Sequence, residues 1–182
     1  VQRMAKEVIH IYGASGSGTT TLAKYLRDQR GFFFMDSDDY YWLPVEPPYT
    51  RKRNPEERLR LMRQDIDRAE KAVISGSLTG WGDELIPLFT LAVRLETDTD
   101  IRIRRLRERE RAHFGNRIAP GGDMYENHEE FIRWASGYDF GDISMRSRAH
   151  HDEWEKKLCC RKIVLNGNDS LAANLERIDK CR

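Results

Sequence analysis

Gly13-Ala14-Ser15-Gly16-Ser17-Gly18-Thr19-Thr20-Thr21 stands at the spacing G-x-x-x-x-G-K-[ST]. Glycines let a backbone fold tightly, so that several N–H groups converge on one anion. A helix that opens at the same place adds partial positive charge. Thr20 falls at the position whose hydroxyl ligates Mg²⁺. Thr19 stands where the pattern has lysine. That lysine reaches the outer phosphates and offsets their charge, whereas threonine offers only a hydrogen bond. Three readings follow: a glycine turn with no ligand, a loop that binds nucleotide but transfers poorly, and a working site whose cation comes from elsewhere. The strand-loop-helix context argues against the first, and the last is the preferred reading.

The cation has several sources in the chain. Lys24 is one helical turn beyond Thr20, and helical side chains lean toward the N-terminus; a solvated surface role suits it better. Arg102, Arg104, Arg105, Arg107, Arg109 and Arg111 crowd one segment, with Arg105 and Arg109 on a shared face. Most of them read as a solvated face interleaved with Glu108 and Glu110. Arg117 sits in the glycine-bearing stretch "FGNRIAPGGD", which reads as a mobile lid able to close over phosphates. Arg146 and Arg148 are further candidates. The acidic counterpart is Asp36-Ser37-Asp38-Asp39. Such carboxylates repel one another unless a cation neutralises them, and Mg²⁺ beside a phosphate loop is the natural one. If the preceding strand persists, Asp36 and Asp38 point the same way. One would order metal water and the other would hold or deprotonate a substrate hydroxyl; the bland alternative is an acidic turn with capping duties. Tyr40-Tyr41-Trp42 would stack on a flat ring or join the core. Arg51-Lys52-Arg53 would suit an acceptor already bearing phosphate, or be a solvated loop. His150-His151-Asp152-Glu153 cannot converge on one ion, since neighbours on a helix point about 100° apart; a surface helix is the better reading. His10, inside a strand, reads as a core or edge histidine.

These residues must be positioned by alternating strands and helices. Val8 to Tyr12 is a β-branched run stopped by Gly13, and Thr19 to Gln29 carries Leu22, Ala23 and Leu26 at helical spacing. Gly31 to Met35 reads as a wholly apolar, buried second strand. Asn54-Pro55-Glu56-Glu57 opens a helix with an N-cap and a first-position proline. Ala72-Val73-Ile74 leads a third strand, Leu88 to Leu95 forms a fourth, and Thr97 and Asp100 cap the arginine helix. Helices are expected near Tyr125 to Ser136 and Arg146 to Leu158, a fifth strand at Lys162 to Leu165, and a last helix from Ser170. Such alternation argues for a parallel sheet covered on both faces, with ligands outside the carboxyl ends of the strands. The glycine loop, Asp36 to Asp39, Ser75 to Gly82 and Asn166 to Asn168 all follow strand ends and are expected to meet at one edge.

The 182 residues suit one domain with a full core. Charged residues make up 34% and the net charge is +1, a balance that demands neither nucleic acid nor membrane. The longest apolar runs are too short to span a bilayer, and Val1 to Glu7 shows no leader pattern. Cys159, Cys160 and Cys181 lack metal spacing and read as reduced thiols, which points to the cytoplasm.

The phrases "HIYGASGSGTTTL", "FFFMDSDDYYW", "VISGSLTGWGD" and "RIRRLRERERAHFGNRIAPGGD" resemble the P-loop nucleoside and nucleotide kinase superfamily, within it the small adenylate-kinase-like and shikimate-kinase-like proteins. The resemblance covers nearly the whole chain. It implies a three-layer α/β P-loop fold with a parallel five-stranded sheet of order 2-3-1-4-5 and a lid insertion. It also implies ATP and Mg²⁺ as cofactors. By that resemblance Gly13, Ala14, Ser15, Gly16, Ser17, Gly18, Thr19, Thr20 and Thr21 cradle phosphate, and Thr20 with Asp36 serves the metal. Asp36 and Asp38 serve metal and acceptor, and Arg105, Arg109 and Arg117 are lid arginines. "VLNGN" with Asn168 lies beside the base. An acceptor-binding insertion falls at about residues 40–71 and a lid at about 112–150. The expected partner is a small-molecule acceptor, a nucleotide or nucleoside, in a monomer or homodimer, with neither membrane nor nucleic acid. The rivals are a regulatory nucleotide-binding protein, and a nucleic-acid end kinase or RNA-binding module.

Overall fold

The structure is a computed structural model that describes residues 6–182. The opening stretch read for a leader lies largely outside the described residues. Among the described residues five strands form one parallel sheet of order β2-β3-β1-β4-β5. They are β1 (Glu7–Gly13), β2 (Phe33–Asp36), β3 (Lys71–Ser75), β4 (Leu91–Glu96) and β5 (Arg161–Asn166). The helices are α1 (Thr19–Arg30), α2 (Ser37–Tyr41), α3 (Pro55–Arg68), α4 (Thr99–Phe114), α5 (Tyr125–Ser136), α6 (Arg148–Glu155) and α7 (Leu171–Asp179).

Period-two alternation in β1 sorts the chain into layers. Ile9 and Ile11 face a cluster with Leu22 and Leu26 of α1 and Leu175 and Ile178 of α7. Val8 and Tyr12 face the other cluster, with Met62 and Ile66 of α3 and Trp154 of α6. The sheet is thus covered on both faces, as the alternation predicts. His10 is fully buried; its Nε2 lies 2.7 Å from the Gly76 carbonyl. Asn54 caps α3 by accepting from the Glu56 and Glu57 amides.

Several boundaries differ from the expectations. The second strand is not wholly buried: β2 is an edge of the sheet, and Phe33 is 47% exposed. The fourth strand begins at Leu91, because Asp83–Leu88 winds into a 3₁₀ helix around Pro87. The capping of α4 by Thr97 and Asp100 is replaced: Asp98 takes the cap position, and Thr97 instead donates to the Ser17 carbonyl at 3.0 Å. The helix expected at Arg146 to Leu158 is shorter, Arg148–Glu155, with Ser147 as its cap. No described helix is long and apolar enough to cross a membrane.

Candidate functional site

The glycine loop leaves β1 and enters α1 directly at Thr19. Gly18, at φ 99°, holds the N-cap place with no side-chain cap, so the first-turn N–H groups keep their donors for a ligand. Gly16 has φ 82°, and a Cβ there would stand 2.7 Å from the Arg102 carbonyl. The loop is pinned from behind. Ser17 Oγ donates to the Ala14 carbonyl at 2.6 Å. Arg102 is 1% exposed and donates to the carbonyls of Ser15, Ala135 and Thr97 and to Thr99 Oγ1. The expectation that this arginine belongs to a solvated face is corrected: four oxygens from separate segments converge on it.

On the β3 side, Thr20 Oγ1 lies 3.3 Å from Ser75 Oγ. Asp36 is the register partner of Ser75. The strand does not persist beyond Asp36, so the expected shared direction of Asp36 and Asp38 is corrected. Asp36 instead caps α2, its carboxylate accepting from the Asp38 amide at 3.0 Å. Burial first, and the Asp38 charge second, push the Asp36 carboxyl up to about 6. A carboxylate so placed favours a nearby cation. Among the described residues no group of three or more His, Cys, Asp or Glu could hold a metal. Two hydroxyls and one carboxylate are a hard oxygen set that fits Mg²⁺ when phosphate oxygens complete the shell. The residues present therefore fit the ion that the loop implies.

On the β5 side a cavity of about 380 Å³ opens beside the loop, bordered by Gly18, Thr21, Arg105, Asn168 and Leu171. Arg105 spans it, donating to the carbonyls of Ser17 (3.4 Å) and Gly167 (3.2 Å). The Asn168 amide donates to Asn166 Oδ1, which fixes the turn. A larger hollow of about 600 Å³ lies elsewhere, against Thr99, Arg104, Arg107 and Ser136, and contains none of the loop.

The third region surrounds Asp38. Burial raises its carboxyl, and the charges of Arg146 and Arg109 pull it back. Arg58 is 5% exposed; its guanidinium lies 3.9 Å from the Tyr41 ring centroid and 5.5 Å from that of Trp81. Its Nε donates to the Arg53 carbonyl. Among the described residues Arg58, Arg109 and Arg146 form no ion pair. The sequence marks Arg109 and Arg146 as candidates but not Arg58, which lies inside a helical pattern. Of the basic triplet, Arg53 is structural: it donates to the Tyr40 carbonyl and pairs with Glu57. Arg117 is held by Asp123 at 2.9 Å and Glu46 at 2.6 Å. Lys24 contributes charge near Asp36.

His151 corrects the surface-helix reading. It is fully buried, with Nε2 3.1 Å from Ser77 Oγ and Nδ1 2.7 Å from the Tyr138 hydroxyl. Burial lowers it to about 3, so the ring is neutral. Ser77 Oγ is in turn 2.8 Å from Thr79 Oγ1. The neighbouring Asp152 and Glu155 bind the buried Arg94 at 2.6 and 3.0 Å.

The family model described as "AAA domain" matches residues 9–132, more than half of the chain. The chain belongs to this AAA-domain family. Its fold is that of the solved kinases to which it is similar. The AAA-domain chain is 42% identical over 175 residues to the uncharacterized protein YqaC of Bacillus subtilis (strain 168), covering 96% of this chain and 95% of that one. Among solved structures it is similar to a shikimate kinase from Acinetobacter baumannii in complex with shikimate. The TM-score is 0.53 and the identity 17%, over 96% of this chain and 91% of that one. A shikimate kinase from Bacteroides thetaiotaomicron gives a TM-score of 0.51 and 17% identity over 96% of each chain.

Proposed function

We propose that this AAA-domain protein is an ATP-dependent phosphotransferase acting on a small anionic acceptor that bears a hydroxyl. A nucleotide or nucleoside is the class expected from the resemblance. The observation that carries this reading is the trio Arg58, Arg109 and Arg146, none with an acidic ion-pair partner among the described residues, of which Arg109 and Arg146 act on Asp38. Arg58 is buried and Arg146 half-buried, and such an arginine without an acidic partner is unfavourable alone and favourable with a carboxylate or phosphate; Arg109 is exposed and adds its charge beside Asp38.

In this reading the amides of Gly13 to Thr21 hold the donor phosphates, with Arg105 and Asn168 beside the base. Thr20 and Asp36 would hold magnesium, which supplies charge neutralisation of the phosphates when bound. Asp38 orients the acceptor hydroxyl and takes its proton, while Arg109 and Arg146 stabilise charge on the transferring group. Thr19 adds a hydrogen bond at the outer phosphate. Arg117 takes part only after leaving Glu46 and Asp123. Residues of about 40–71 would receive the acceptor and about 112–150 would act as lid, within one domain. The free cysteines suit a cytoplasmic protein.

The test is turnover of Mg-ATP against a panel of nucleosides, nucleotides and small hydroxylated anions, shikimate among them. ADP must appear together with a phosphorylated acceptor. With that acceptor, Arg109→Ala and Arg146→Ala are expected to cut turnover at least about 100-fold while ATP affinity changes less than about threefold. Arg117→Ala is expected to have the smaller effect. Unchanged turnover in both former variants would overturn the assignment. The absent lysine favours a second reading, a nucleotide-binding regulator. Tight ATP binding with no turnover across the panel would establish it. Nucleic-acid binding is the third; absence of a gel shift at near-physiological salt removes it.

A further inference from the structure

A chain of polar side chains runs from the interior toward the Asp38 region, and none of its members has a part in the proposed transfer. Tyr138, His151 and Ser77 are buried, and Thr79 at the outer end is half-buried. Tyr138 Oη lies 2.7 Å from His151 Nδ1, His151 Nε2 lies 3.1 Å from Ser77 Oγ, and Ser77 Oγ lies 2.8 Å from Thr79 Oγ1. The direction of the protons follows from the inner end. Burial raises the Tyr138 hydroxyl, and the Arg94 guanidinium beside it opposes that rise. A guanidinium has donors and nothing to accept with, so the phenol turns its lone pairs to Arg94 and its proton to His151 Nδ1. A neutral imidazole that accepts at Nδ1 carries its proton on Nε2, and Ser77 Oγ receives it. The Thr79 amide also donates to Ser77 Oγ, at 3.4 Å. Both acceptor places of that hydroxyl are then filled, and its own proton goes to Thr79 Oγ1. Thr79 is left with a proton to give outward. Its turn borders the Asp38 region at both ends. A Cβ at Gly76 would collide with Ser37 Oγ, and the Trp81 ring lies 5.7 Å from that of Tyr41 and 5.5 Å from the Arg58 guanidinium. The charge of Arg146 is felt at both Asp38 and His151.

We propose that Tyr138, His151 and Ser77 are positioning residues that fix Thr79 as a hydrogen-bond donor to an oxyanion of the acceptor, its phosphate or carboxylate. This inference rests on the reading of the Asp38 region as the acceptor site. The chain adds no charge; it decides the sign of one hydrogen bond. A threonine hydroxyl that turns freely donates or accepts alike. With its oxygen engaged by the Ser77 proton, this one selects an electron-rich oxygen. A hydrogen bond to an ionised group gives direction to the attraction that a nearby arginine supplies. The opposite tautomer would reverse the outer links. His151 Nε2 would draw the Ser77 proton, Ser77 would accept from Thr79, and Thr79 would meet the ligand with lone pairs alone.

Nitrogen NMR spectra of isotope-labelled histidine in the whole chain read the tautomer directly, with His151→Gln identifying the signal. His151 is expected to be neutral with its proton on Nε2; a proton on Nδ1 would overturn the proposal. Inorganic phosphate and malonate are then titrated separately into the chain with ADP and EDTA present, and the Thr79 amide shift is followed. A response to phosphate marks a phosphate-bearing acceptor, and a response to malonate a carboxylate-bearing one. If neither anion moves Thr79, its ligand role is overturned. Thr79→Val is expected to weaken the responding anion about tenfold, while Thr79→Ser keeps its affinity within about twofold. Equal affinity in Thr79→Val and the unaltered chain would sink the donor role. Tyr138→Phe keeps the ring but removes the proton given to Nδ1. It is expected to weaken the anion about threefold and to let the His151 tautomers mix. A merely structural Tyr138 would leave the tautomer as it was, which overturns the chain. Turnover of Mg-ATP is scored apart. Anion binding at Thr79 with no phosphorylated acceptor sinks the kinase reading and leaves Thr79 as an anion ligand; turnover with Thr79 unmoved sinks only the role of Thr79.

Discussion

At the scale of single residues, the loop glycines are not equivalent, and the difference is measurable. Gly18 has φ 99°, but a Cβ there meets only the tips of the Leu95 and Arg105 side chains, at 3.7 and 3.8 Å. Its replacement by alanine should cost only the left-handed backbone penalty, about 1–2 kcal/mol. Gly16 combines φ 82° with a Cβ 2.7 Å from the Arg102 carbonyl, which is backbone and cannot swing aside. Gly16→Ala should cost more, about 3 kcal/mol or above, since strain and clash add. Urea unfolding should therefore rank the unaltered chain above Gly18→Ala and Gly18→Ala above Gly16→Ala; the reverse order would mean that the loop relaxes freely. The glycines were legible in the sequence because their spacing is local. Thr19, Thr20, Asp36 and Asp38 were singled out by the same local spacing, and their roles belong to the proposed function. Arg58 was not legible, because nothing in its helix repeat marks it as stacked under Tyr41 and Trp81, both distant in sequence.

At the scale of elements, the β-strands were read from β-branched runs and their order from the resemblance, and their ends shifted where a proline or an edge position intervened. The face of α6 escaped the sequence reading. Two adjacent histidines followed by two acids look solvated, yet His151 contacts Ser77 and Tyr138, 74 and 13 residues away. Long-range partners of this kind leave no periodic trace. The burial has a pH consequence. His151 titrates near 3 in the folded chain and near 6.5 when unfolded. Below pH 6.5 the unfolded state takes up a proton that the folded state refuses, so stability falls as pH falls toward the folded value. The slope from this one ring is about 1.4 kcal/mol per pH unit once the unfolded imidazole is charged. His10, lowered to about 4, adds a similar slope. His151→Gln should remove one share of the loss between pH 6 and pH 5 while keeping a hydrogen-bonding side chain. Denaturant midpoints at those two pH values decide it: an unchanged slope would mean that His151 is protonated in the folded chain.

At the scale of the whole molecule, Arg102 joins parts that the sequence shows only separately. Its guanidinium reaches the glycine loop through the Ser15 carbonyl, the end of the β4 segment through the Thr97 carbonyl, and α5 through the Ala135 carbonyl. Burial works against its charge, and no carboxylate lies in direct contact, so the cost of burial is met by neutral oxygens whose dipoles point at it. Removing the side chain leaves those carbonyls without a donor where water has little access. Lysine cannot replace it, because a single ammonium lacks the planar fork that reaches segments on different sides. Arg102→Lys should therefore destabilise the fold by about 2–4 kcal/mol, in the range seen when one partner of a buried polar network is removed. The loop should loosen together with α5, since both lose the same donor. Hydrogen exchange read segment by segment should show faster exchange at residues 13–18 and in α5, with α3 protected as before. If α3 and the glycine loop speed up alike, the arginine supports the fold globally. If the loop and α5 speed up alone, the arginine is the physical link between α5 and the glycine loop.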